Sequence, residues 1–118
     1  MKLTNRRQFS TAQILTVMSG RLVCEKEGIE GIYKILNFMT SDDIFTHQIP
    51  RVLKECGPYL QQQFPGLTVF ANRLKKCAKD WNTIVTEAES LAGMSLEVQS
   101  LPLGAHKIID PQLEAIQM

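Results

Sequence analysis

Apolar residues recur every three or four positions through most of the chain, which is the spacing of helices that bury one face. Four stretches carry this pattern, at residues 11–19, 29–39, 49–64 and 67–92. In the last stretch the repeat averages about 3.5 residues, which is typical of a helix that packs lengthwise against a neighbour. We therefore predict one long helix there and three shorter helices before it.

Local signals indicate where the helices begin and end. Ser10 opens a capping box with Gln13, and Gly20 stands where a left-handed residue closes the first helix. Thr46 is the predicted N-cap of the third helix. Gly31 lies inside the second helix, where it costs about 1 kcal/mol relative to alanine, and this predicts a close neighbour at that position.

After the long helix the period changes to that of a strand. Apolar and polar residues alternate over 96–100, and we predict that residues 106–109 pair with them as a small hairpin. A last short helix starts at Pro111, with Leu113 and Ile116 as its anchors. The predicted fold class is mainly α with a small C-terminal β-hairpin (α+β), a compact helical domain of four to five helices.

Composition limits the classes of function. The chain is 44% hydrophobic and 21% charged with a net charge of +1, as expected for a single soluble domain over residues 1–118. Bulk binding of nucleic acid is not indicated by this charge. We find no run long enough to span a membrane and no signal peptide, so we expect a cytoplasmic protein.

Signatures of catalysis are missing from the sequence. The three cysteines (Cys24, Cys56 and Cys77) stand at apolar or flanking positions and are interpreted as thiols in a reducing compartment. The spacings of a metal site, a glycine-rich phosphate loop and a nucleophile elbow do not occur. We therefore expect no enzyme activity, no metal and no cofactor.

Polar side chains gather at the predicted start of the third helix. A helix start attracts anions through its N–H groups and dipole, and Arg51 adds a planar fork suited to phosphate or carboxylate. The candidate ligand-binding residues are Thr46, His47, Gln48, Arg51 and Lys54. The simpler interpretation, in which Arg51 and Lys54 are solvated and His47 caps or packs, stays open.

Charges are unevenly placed along the predicted long helix. Basic residues crowd its first half and Glu87 and Glu89 lie in its second, which is the reverse of what the helix dipole favours. The basic half therefore predicts an acidic partner, with a merely solvated face as the alternative. The candidate partner-binding residues are Arg73, Lys75, Lys76 and Lys79.

The run SGRLVC, the helix after it and the run IFTHQIPR together resemble a group of short phage and prophage accessory proteins. The resemblance covers about residues 19–51, and the closing segment LPLGAHKIIDPQLEAIQM is similar to the tails of such proteins. It implies a phage accessory protein in the host cytoplasm and carries no settled activity.

We therefore predict a non-enzymatic counter-defence protein. It would act as a homo-oligomer assembled through the long helix, and it would sequester an anionic, nucleotide-like immune signal. Two alternatives remain: an inhibitor that blocks a host defence protein, and a regulator that binds nucleic acid.

Overall fold

Helices make up most of the computed structural model, which describes residues 5–24, 27–77, 79–102, 104–106 and 111–117. The described elements are, in order, β1 (Arg6–Ser10), α1 (Thr11–Ser19), α2 (Gly28–Thr40), α3 (Ile49–Gln63), α4 (Thr68–Lys76), α5 (Trp81–Ala92), β2 (Ser95–Gln99) and α6 (Pro111–Gln117). Single 3-10 turns at Thr46–Gln48 and Pro65–Leu67 lead into α3 and α4. The predicted class, mainly α with a small amount of β (α+β), is confirmed, although the described residues form six α-helices rather than the four to five predicted.

The centre of the fold is α1, which packs against α2, α3, α4 and α5. Ser10 accepts the backbone N–H of Gln13, and the Gln13 side chain accepts the N–H of Ser10, so the predicted capping box is confirmed. Gly20 closes the helix at φ 74°, as predicted. Because residues 11–17 are all buried, α1 is a core helix that the others surround.

The strand predicted at 96–100 is present as β2, but its partner is β1. The two pair antiparallel, with Arg6 opposite Gln99 and Ser10 opposite Ser95. The predicted hairpin partner was wrong where the structure describes it, since His106 lies in a bend, and residues 107–109 lie outside the described part. Only one residue of β1 is fully buried, so its sequence has too little alternation to signal a strand.

Two helices, α4 and α5, replace the single helix predicted over 67–92, so that prediction was wrong. The chain becomes extended at Cys77, with φ −77° and ψ 144°. Arg21 donates to the carbonyl of Leu74 at 3.2 Å and to the carbonyl of Cys77, and so satisfies the acceptors left at the end of α4. Both helices pack against α1, so the apolar spacing gives no sign of the break.

The close neighbour predicted at Gly31 is confirmed. A Cβ atom there would lie 2.4 Å from the Cβ of Glu27 and 3.4 Å from Nε2 of Gln13. The Gln13 amide also donates to the Gly31 carbonyl at 3.1 Å, which ties α1 to α2.

Pro58 lies inside α3, which continues through it as one helix. A proline disfavours the helical conformation of the residue before it by a clash with that residue's Cβ. Gly57 has no Cβ, so the helix passes this point without that clash. Residues 49–63 therefore form a single helical element, in the stretch where the sequence predicts the third helix.

Candidate functional site

The turn that leads into α3 is built by Gln48 rather than by Thr46. Gln48 is buried, and its Oε1 accepts the backbone N–H of Phe45 at 3.0 Å. The Thr46 hydroxyl bonds instead to the hydroxyl of Tyr33. The N-cap role predicted for Thr46 was therefore wrong, because the chain enters α3 through a 3-10 turn stabilised by an amide side chain.

A carboxylate from α6 is held by two residues of this region. Arg51 donates from Nε to Oε2 of Glu114 at 2.8 Å and from Nη2 to Oε1 at 3.0 Å. Gln48 adds a hydrogen bond from Nε2 to Oε1 at 3.0 Å. We call Gln48, Arg51 and Glu114 the clasp. The bonds from Arg51 hold the pKa of Glu114 below its usual value, and the same carboxylate raises the pKa of Arg51.

A chain of side-chain hydrogen bonds that does not include α6 supports the clasp. The third Arg51 nitrogen, Nη1, lies 2.8 Å from Oε2 of Glu55. His106 then joins two acids, with Nδ1 2.6 Å from Glu55 and Nε2 2.9 Å from Asp42, and its side chain is only 4% exposed. Glu55 is therefore bonded to Arg51 through one carboxylate oxygen and to His106 through the other. The orientation of the Arg51 fork is thus fixed by Glu55.

The predicted ligand-binding residues fall into two places. Thr46, His47, Gln48 and Arg51 lie around one turn, where the anion bound is the carboxylate of Glu114. Arg51 and Gln48 therefore interact with the chain itself, and this argues against an external ligand at the turn. Lys54 lines a separate cleft.

That cleft has a volume of about 380 Å³ and lies between α1, α3 and α4. Lys54 of α3 and Lys75 of α4 both line it, and neither forms an ion pair with any residue that the structure describes. We call it the lysine cleft. The remaining lining residues are Val17, Met18, Ser19, Gly20, Leu53, Gly57, Pro58, Gln61, Thr68, Ala71 and Asn72.

The other predicted partner-binding residues have local explanations. Arg73 lies 3.0 Å from Glu87, so one cation of the predicted basic half pairs with one acid of the acidic half across α4 and α5. Arg73, Lys75 and Lys76 occupy the last turn of α4, where the helix dipole favours cations. The charge order therefore no longer indicates an acidic partner. Lys79 is exposed after the end of α4.

Sequence patterns did not indicate four residues that bind or support Arg51, namely Glu114, Glu55, His106 and Asp42, or the residue that caps α4, Arg21. Glu114 and His106 reach α3 from far along the chain, and Arg21 caps α4 from the end of α1. Spacing in sequence carries no signal for such contacts. Arg51 itself was the one indication, because a guanidinium near a helix start calls for a carboxylate or phosphate partner.

Hydrogen bonding and the placement of possible metal ligands can be stated for the part of the chain that the structure describes. Throughout the described ranges, every buried side-chain nitrogen and oxygen has a hydrogen-bond partner, so no enclosed polar group there waits for a ligand. The same residues contain no group of three or more His, Cys, Asp or Glu arranged to hold a metal ion. Burial raises the pKa of the Cys56 thiol to about 12 and also raises that of Cys24, which disfavours thiolate chemistry at either.

The fold and site define a small helical α+β domain with an internally occupied carboxylate site and an open cationic cleft. The chain belongs to the family described as Domain of unknown function (DUF7736), whose model matches residues 9–69. That segment includes α1, α2 and α3. No curated protein and no solved structure matches the chain. No helix among the described residues is long and apolar enough to cross a membrane.

Proposed function

We propose that this protein binds a small anionic, nucleotide-like ligand in the lysine cleft and performs no chemistry on it. The observation that supports this most directly is that Lys54 and Lys75, from different helices, face one concave surface. Neither has an acidic partner among the described residues to offset its charge. A phosphate group bound between them would neutralise both cations.

The lining of the cleft suits a ligand with both polar and apolar parts. Hydroxyl and amide side chains can bond to a sugar or a base, and they are Ser19, Gln61, Thr68 and Asn72. Apolar contact is offered by Val17, Met18 and Leu53. The volume of about 380 Å³ lies near the lower end of the range for small-molecule sites, roughly 300–1,000 Å³, so we expect a ligand of mononucleotide size.

The biological setting of this proposal comes from the resemblance of residues 19–51 to phage accessory proteins. A phage protein that captures a nucleotide without altering it would lower the concentration of a host immune signal. In that setting the protein acts as a counter-defence sponge in the host cytoplasm.

Isothermal titration calorimetry tests the proposal. We would titrate the full chain with inorganic phosphate, mononucleotides and cyclic dinucleotides. Lys54→Ala and Lys75→Ala should each weaken binding by about 10- to 100-fold, since a hydrogen bond to a charged group contributes about 1.5–3 kcal/mol. Lys34→Ala is the matched control, because Lys34 is exposed on α2 and does not line the cleft.

Two results would contradict the proposal. One is no measurable heat for any ligand in the series. The other is a bound ligand whose affinity is the same in both cleft variants and the wild type. Binding of long single-stranded nucleic acid that weakens steeply with salt would support the nucleic-acid alternative instead.

A further inference from the structure

The last helix is attached to the domain in an unusual way. Surface helices generally bury an apolar face and expose their charges. Among residues 112–116 of α6, whose burial the structure describes, Glu114 is the buried one at 8% exposure, while Leu113 and Ile116 are 57% and 80% exposed. These two were predicted to be its anchors, and that prediction was wrong. A carboxylate in the clasp therefore anchors α6.

The clasp is arranged to receive a carboxylate whatever chain supplies it. Gln48 is 1% exposed and is oriented by its bond to the backbone of Phe45. Arg51 is oriented by Glu55, which is bonded in turn to His106. The receiving groups are thus held in place by bonds that do not involve α6.

The weakness of α6 as an independent element matters here. A seven-residue helix is marginal in water by itself, so its attachment depends on what it contacts. Among described residues the element that it contacts most is the Thr46–Gln48 turn, beside which Phe45 is 53% exposed. An apolar set of Phe45, Leu113 and Ile116 is therefore left uncovered on this part of the protein.

We propose that the clasp is an exchange site, in which Arg51 and Gln48 of one copy bind Glu114 from the α6 of a second copy. The complementarity needed is already present, because α6 is the one ligand that the structure shows to fit the clasp. Exchange of an identical element retains every contact and adds an interface between copies. In a two-fold dimer, two copies of the apolar set are brought to that interface and can cover one another.

This proposal is independent of the lysine cleft, whose residues take no part in it. It replaces self-association through a long helix, which the break between α4 and α5 removes. The partner copy contributes a residue to the site, so each clasp in the dimer is complete only when both chains are present.

Charge reversal gives a selective test with full-length chains. Arg51→Glu leaves a chain whose own Glu114 meets a like charge, and Glu114→Arg does the same to a chain with its native Arg51. In either variant alone, the clasp is repulsive whether α6 comes from the same chain or from a second copy of that variant. In a mixture, exchange of α6 restores one native pair and forms one reversed pair, so both clasps become attractive.

Sedimentation velocity and native mass spectrometry then count the chains. We expect an equimolar mixture to contain at least roughly tenfold more one-to-one dimer than either variant alone at the same total concentration, since tenfold corresponds to about 1.4 kcal/mol of association free energy. The double variant Arg51→Glu/Glu114→Arg, with attractive clasps in one chain, should behave like the wild type. A mixture that remains monomeric would overturn the proposal.

A second pair of variants, with neutral replacements, keeps the test available if a charge-reversed chain does not fold. Circular dichroism establishes whether each charge-reversed chain is folded. Should either unfold, Arg51→Met and Glu114→Gln carry the same test, because their mixture restores one native clasp by exchange and neither chain can form one alone. Equal dimer fractions in the mixture and in the single variants would again refute exchange.

Discussion

Replacing Gly31 with alanine sets two opposed effects against each other at the contact between α1 and α2. Alanine is favoured over glycine inside a helix by about 1 kcal/mol, so propensity alone predicts stabilisation. The structure predicts the opposite sign. A Cβ at this position would lie 2.4 Å from the Cβ of Glu27, far inside the roughly 3.5–4.0 Å of carbon–carbon contact.

The size of the destabilisation depends on which atoms must move to relieve the clash. The clash is with an atom bonded directly to the backbone, so relief requires a shift at the start of α2 rather than a rotamer change. Overpacking of this kind costs about 1–3 kcal/mol. A shift would also strain the bond from Gln13 to the Gly31 carbonyl, which contributes about 0.5–1.5 kcal/mol. After subtracting the gain in propensity, we expect a net destabilisation of roughly 1–3 kcal/mol.

Urea unfolding followed by circular dichroism measures this change as a lower midpoint at constant slope. Gly66→Ala is the control, because no heavy atom lies within 4 Å of the added Cβ and its φ is ordinary. It should leave stability unchanged or raise it by up to about 1 kcal/mol. If Gly31→Ala unfolds at the same urea concentration as the wild type or a higher one, the close packing at this contact does not constrain the fold.

Three further outcomes follow from the site and its surroundings. Glu114 has a folded-state pKa below its ordinary 4.5, so attachment of α6 should be complete above pH 4.5 and should be lost as the pH falls through the lowered pKa. NMR amide shifts of α6 report this loss, and Glu114→Gln should abolish its pH dependence. Cys56, with its pKa raised to about 12, should resist a thiol reagent at neutral pH until the chain unfolds, whereas the half-buried Cys77 should be modified in the native protein, as mass spectrometry of the labelled chain would show. Asn72→Phe should fill the lysine cleft and weaken ligand binding about tenfold or more in calorimetry, while Asn82→Phe, exposed at a different depression, should not; equal affinities would place the ligand elsewhere.

Local sequence patterns correctly predicted the features that depend on residues close together in the chain. The box at Ser10, the left-handed Gly20 and the crowded Gly31 were all found where the sequence indicated. Each depends on atoms that are close in the chain or on a conformation that one residue type favours. Such features are determined before tertiary packing is known.

The break between α4 and α5 shows what periodicity does not reveal. Both helices bury a stripe against α1, so the apolar spacing continues across residues that are not helical. The charges gave the better indication. Cations followed by acids oppose the dipole of one long helix, whereas the cations by themselves suit the C-terminal turn of a first helix. The position of the cations was therefore a signal of the break, while Glu87 and Glu89 lie beyond the first turn of α5 and gave no such signal.

The sequence predicted the cationic half of the clasp but not the carboxylate that it binds. A guanidinium near a helix start was expected to hold an anion, and Arg51 does so. The source of that anion, Glu114, is 63 residues further along the chain. An acid on a short helix that carries Leu113 and Ile116 is expected to face solvent, so its burial depends on the tertiary structure alone.

Arg51 and Lys54 are one turn apart on α3, but the structure gives them different electrostatic environments. Both lie inside the segment that defines the family, whereas the residues that determine their states, Glu114 and Lys75, lie beyond it. Glu114 pairs with the arginine, and Lys75 lines the same cleft as the lysine. The family segment thus supplies two cations, and the rest of this chain makes one of them a structural contact while the other has no ion pair among the described residues.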